Sequence, residues 1–85
     1  MKEVIVLAEK LIALPSITPD DAGCQQLIMD QLMEVGFHCE PLRFGDVDNL
    51  WARYGKQSPL IVFAGHTDVV PPGPLTDWTS PPFEP

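Results

Sequence analysis

Positive charge is scarce in this sequence: five Lys and Arg stand against twelve Asp and Glu, for a net charge of -7. The five are scattered and form no stripe able to follow a phosphate backbone, which excludes nucleic acid as a partner. Cysteine is scarce too, limited to Cys24 and Cys39. Two cysteines without a secretory signal read as free thiols rather than a disulfide, the usage of a reducing, cytoplasmic setting. A long apolar run is missing. The opening MKEVIVLAEKLIAL is interrupted by Glu3, Glu9 and Lys10 and is followed by no small-residue cleavage site, so it is neither a signal peptide nor a membrane span. There is no internal repeat, nucleophile elbow, phosphate-binding loop or Cys-x-x-Cys pair.

Proline, by contrast, is plentiful: ten in 85 residues, six of them after residue 70. That stretch reads as loop, with nothing resembling a closing helix or strand. A chain of this length makes at most one domain and buries about 60 to 65% of the surface its unfolded form exposes, a marginal core. The sequence therefore reads as the front of a larger domain.

Apolar residues at Val4, Leu7, Ala8, Leu11 and Ile12 follow the i, i+3, i+4 spacing of a helix over residues 2–14, stopped by Pro15. After the linker PSITPDD a second helix is expected over about 22–35, with Thr18, Asp20 or Asp21 able to cap its start. Its apolar face would carry Cys24, Leu27, Ile28, Leu32 and Val35, and Gly36 would end it. The period then changes. Residues 37–44 read as an edge strand because of Pro41, residues 49–54 alternate as a second strand, and GDVDN between them reads as the turn of a hairpin. Leu60 to Ala64 is apolar without alternation, the pattern of a central strand buried on both faces. The expected class is α/β: two helices, a hairpin, then a central buried strand.

That strand runs into Gly65, His66, Thr67 and Asp68, where open α/β sheets usually carry their functional residues. If the chain stays extended, His66 and Asp68 project to one side. An imidazole can then ligate zinc while the carboxylate holds its other ring nitrogen, fixing the tautomer and raising its basicity. On these residues alone a structural hydrogen-bonded pair is the commoner arrangement, and one imidazole cannot hold a catalytic ion. The other candidates are weaker. His38 reads as solvated, Asp20 and Asp21 as caps, Asp46 and Asp48 as turn formers, and Trp51 and Trp78 as packing or loop anchors.

GHTDVVPPG, together with the DWTSPPFEP after it, resembles the first metal-binding signature of the M20 metallopeptidase family. PSITPDDAGCQ resembles the approach to the second helix in its desuccinylase branch, and the likeness spans essentially the whole chain. The acetylornithine deacetylases and aminoacylases of the same family remain the alternative, as does a non-enzymatic α/β module. The resemblance implies that residues 1–85 are the N-terminal portion of a zinc-peptidase-like catalytic domain, with the rest of that domain and a dimerisation domain lying elsewhere. It implies a homodimeric, cytoplasmic amide hydrolase with two zinc ions per subunit, or cobalt in their place, acting on a small anionic acyl-amino acid. By matching position it makes His66 a ligand to one metal and Asp68 the catalytic acid behind it. The loop PPGPLTDWTSPPF would border the mouth of the site.

Overall fold

The computed structural model describes residues 2–85. Helix α1 spans Lys2–Ile12 and helix α2 spans Cys24–Glu34; strands β1 (His38–Phe44) and β2 (Val47–Arg53) form an antiparallel hairpin, and a short 3-10 turn covers Leu75–Asp77. Both helices fall inside the expected spans. Their last residues loosen ahead of the breakers, α1 before Pro15 and α2 before Gly36.

The end of α2 shows why a glycine stands there. Gly36 takes φ +96°, and the amides of Gly36 and Phe37 return to the carbonyls of Met33 and Leu32 at 3.1 and 3.0 Å. These two bonds satisfy carbonyls that the helix leaves without partners, and the left-handed turn they require favours a residue without a Cβ. The reversal carries Phe37 against Tyr54, ring centroids 5.4 Å apart, which sets the hairpin beside the helix. In the hairpin the pairing of Phe44 with Val47 leaves a two-residue turn, with Gly45 at φ +63° in its first position, as a tight antiparallel connection needs. Cys39, Leu50 and Ala52 are the half-buried positions of the two strands, while Trp51 and Arg53 point out. α2 lies over this sheet, presenting Leu27, Ile28 and Leu32, with Cys24 buried at its start. Val35, expected on that face, is exposed because the chain is already leaving the helix there.

The central strand is the expectation that fails. Leu60 to Ala64 pairs with nothing among the described residues, and Ile61 and Phe63 are 76% and 95% exposed. A strand is held by a ladder partner and by what covers its faces; neither is present within these residues, so the apolar run that marks a buried strand is left uncovered. The same shortage shows in the whole chain. Only Cys24 and Ser16 are buried among the described residues, and the radius of gyration is 15.0 Å, against about 12 Å for a closed globule of this length.

Candidate functional site

The segment from His66 to Val69 is held by the linker that joins the two helices. Ile17 and Val69 form a parallel bridge, with Thr18 N–H donating to the Val69 carbonyl at 3.0 Å and Val69 N–H to the Ser16 carbonyl at 2.9 Å. Side chains reinforce it. The Ser16 hydroxyl, in a residue only 3% exposed, donates to the Thr67 carbonyl at 2.7 Å. Thr67 in turn donates its hydroxyl to Asp21 at 3.0 Å, and the Asp21 carboxylate also accepts the Gln25 amide at the start of α2 at 3.0 Å. Asp21 thus holds a first-turn amide, although the N-cap itself is Gly23 without a side-chain cap, and Asp20, expected as a cap, instead closes a local turn by accepting the Ala22 amide at 2.9 Å. Thr18 does not cap: its hydroxyl donates to Asp68 Oδ2 at 2.6 Å.

His66 and Asp68 are brought together on this platform. His66 Nδ1 lies 2.9 Å from the Asp68 carbonyl oxygen and 3.1 Å from Asp68 Oδ1. Both neighbours are acceptors, so in the neutral ring the proton sits on Nδ1 and Nε2 holds the lone pair. The His66 side chain is 81% exposed, and Nε2 makes no hydrogen bond among the described residues. Gly65, just before this pair, is not conformationally required, since a Cβ there would meet open space and its φ is not in the positive region.

Asp68 is held as an anion. The Thr18 hydroxyl is the largest influence lowering its pKa from 3.8; partial desolvation opposes this, and the His66 ring adds to it. Because the folded-state value is the lower one, the stability contributed by this group is fully present above the unfolded value and is lost as pH falls through the folded one. In a carbon-detected NMR titration the Asp68 carboxyl is expected to titrate below the ordinary aspartate midpoint. A midpoint at or above it would show that the hydroxyl contact is not made in solution.

His66 sits between two hollows. On one side a cleft of about 510 Å³ is lined by Leu11, Leu14, Val70, Pro72, Trp78 and Phe83 as well as by His66. On the other a wider hollow of about 770 Å³ is lined by Thr18, Asp21, Asn49, Tyr54, Phe63 and Asp68 among others. The proline-rich loop thus forms one wall of a cleft that His66 also borders, and Trp78 is anchored within it by donating its indole N–H to the Pro72 carbonyl at 2.9 Å. His38 is 77% exposed, pairs with Glu40 at 3.2 Å and lines neither hollow. Asp46 occupies the hairpin turn, whereas Asp48 lies in β2 and pairs across the sheet with Arg43 at 2.8 Å. Both cysteines are free, Cys24 buried and Cys39 half-buried. No helix among the described residues is long and apolar enough to cross a membrane.

No family model matches the chain. Individual proteins do. The succinyl-diaminopimelate desuccinylase of Coxiella burnetii (strain Dugway 5J108-111) is 61% identical over 85 residues, which is 100% of this chain and 23% of that protein. The corresponding protein of Hydrogenovibrio crunogenus is 63% identical over 83 residues, covering 98% of this chain and 22% of its own length. Along its whole length the chain is homologous to succinyl-diaminopimelate desuccinylases. The desuccinylase of Methylobacillus flagellatus agrees, at 59% identity over 85 residues. The chain spans 23% of the length of the Coxiella desuccinylase, so its exposed Leu60 to Phe63 run belongs to a sequence whose relatives are about four times longer.

Proposed function

We propose that residues 1–85 form the His66 side of the active site of a zinc-dependent amide hydrolase. The substrate in this reading is N-succinyl-LL-2,6-diaminopimelate, hydrolysed to succinate and LL-diaminopimelate on the route to lysine. The observation that carries the reading is the state of the His66 ring: Nδ1 committed to Asp68, Nε2 unshared, and the ring 81% exposed beside an open cleft. His38 also has one ring nitrogen on a carboxylate and is 77% exposed, but it lines neither hollow, so the cleft beside His66 is what distinguishes that ring. The names of the relatives supply the substrate.

The residues present suit a zinc ion as one ligand of a set. An imidazole whose remote nitrogen is hydrogen-bonded to a carboxylate is the usual histidine donor for zinc. No three His, Cys, Asp or Glu side chains converge among the described residues, so in this reading the other donors come from outside them, as do the second ion and the dimerisation domain. Zinc, when bound, stabilises the charge that builds on the amide oxygen and provides a water acidic enough to attack at neutral pH. In this reading His66 would hold the ion through Nε2. Asp68 retains the proton at Nδ1 and prevents the ring from turning. The Pro72 and Trp78 wall gives the cleft an apolar side from which water is displaced when an acyl chain enters. The same reading makes Leu60 to Ala64 an interior strand of the complete domain, covered by chain outside these residues.

A full-length protein carrying this segment is expected to release succinate from the succinylated diamino acid faster than it deacetylates acetylornithine, with zinc retained through dialysis. Preference for the acetylated substrate transfers the chain to the deacetylase branch. Absence of both activities and of retained metal leaves a non-enzymatic α/β module.

A further inference from the structure

The linker between the helices contributes more than a backbone bridge. Thr18 has one hydroxyl hydrogen and two acceptors in range, Asp68 Oδ2 at 2.6 Å and the Val69 carbonyl at 3.2 Å. The first is the length of a hydroxyl-to-carboxylate hydrogen bond. The second involves a carbonyl that already accepts the Thr18 amide at 3.0 Å. The proton therefore goes to Asp68. This leaves the carboxylate with its oxygens divided, Oδ2 on Thr18 and Oδ1 3.1 Å from His66 Nδ1, where it shares the ring proton with the Asp68 carbonyl at 2.9 Å. Without the hydroxyl nothing else among the described residues holds Oδ2, and a partly exposed aspartate can swing its carboxylate into water.

We propose that Thr18 is a positioning residue for this site: its hydroxyl fixes the Asp68 carboxylate, 50 residues away in sequence, so that Oδ1 stays on Nδ1 and Nε2 of His66 is aimed outward. Its link to metal binding rests on the zinc reading above, but its effect on the ring does not. The contact differs in kind from the Ser16 bond to the Thr67 carbonyl, which clamps the same backbone without touching Asp68.

The test uses a full-length protein carrying this segment and compares Thr18→Val, Thr18→Ser and Ser16→Ala. In the metal-free protein, above the titration range of imidazole, the His66 Nδ1–H proton is followed by nitrogen-resolved NMR. Thr18→Val, which keeps size and backbone bonds, is expected to move this resonance upfield and to speed its exchange with water about tenfold, the loss of one hydrogen bond to a charged group. Thr18→Ser restores both, and Ser16→Ala lowers the melting temperature while leaving both unchanged. Zinc affinity falls about tenfold in Thr18→Val, within the range for residues that support a ligand. Thr18→Ala gives the same comparison should the valine methyl prevent folding. An unchanged Nδ1–H signal in Thr18→Val overturns the proposal, as does an equal change in Ser16→Ala. A changed signal in a protein that binds no zinc keeps Thr18 in its role and removes the hydrolase reading instead.

Discussion

On the proposed reading, replacing His66 with alanine in a full-length protein carrying this segment is expected to lower kcat/KM for desuccinylation by about three orders of magnitude. Metal-assisted stabilisation of the developing charge is worth several kcal/mol, and each 1.4 kcal/mol is a factor of ten. In the metal-free protein the same substitution is expected to leave the melting temperature almost unmoved. The ring is 81% exposed and its hydrogen bonds are to Asp68 alone, so its loss opens no cavity and strands no buried polar group, and such surface changes usually stay within about 0.5 kcal/mol. The split is what separates a ligand from a structural histidine, because the latter would lose stability together with activity. Zinc content measured on the same sample should fall by one ion per subunit. Near-normal turnover with full metal content would end the assignment of His66.

Asp68→Asn is expected to cost about 10- to 100-fold in activity and zinc affinity. The substitution can keep every contact. Its amide oxygen can accept the His66 proton at the Oδ1 position, and its amide N–H can donate to Thr18, whose hydroxyl then turns to the Val69 carbonyl 3.2 Å away. What disappears is the negative charge behind the ring. Asp68→Ala removes charge and contact together and should fall further. Measuring both by zinc titration and steady-state kinetics apportions the effect: if Asn and wild type behave alike, Asp68 acts by geometry only and its charge is irrelevant.

The local elements of this protein can be read along the chain because each depends on neighbours a few positions away. The i, i+3, i+4 spacing from Val4 to Ile12 and from Cys24 to Leu32 specifies two helices, Pro15 and Gly36 end them, and Gly45 with alternation at Leu50 and Ala52 specifies the hairpin. The pairing of His66 with Asp68 is legible too, since residues two apart on an extended segment share a side. The expected central strand fails for a physical reason: composition shows that Leu60 to Ala64 prefers burial, but burial needs a second surface, and none of the described residues supplies it. The signal is a preference and not a contact.

The identities of Thr18 and Asp21 carry only a helix-capping signal, which describes Asp21 in part and Thr18 not at all. What those residues do is decided by the bridge between Ile17 and Val69, which brings hydroxyls and carboxylates about 50 positions apart within hydrogen-bonding distance. The sequence by itself determined the two helices, the hairpin turn and the chemical kinds gathered at His66 and Asp68. Only the tertiary structure decided that Thr18 faces Asp68 rather than the helix start. Short-range periodicity constrains neighbours through backbone geometry, whereas a hydrogen bond between distant segments depends on how two loops meet and leaves no regular spacing behind.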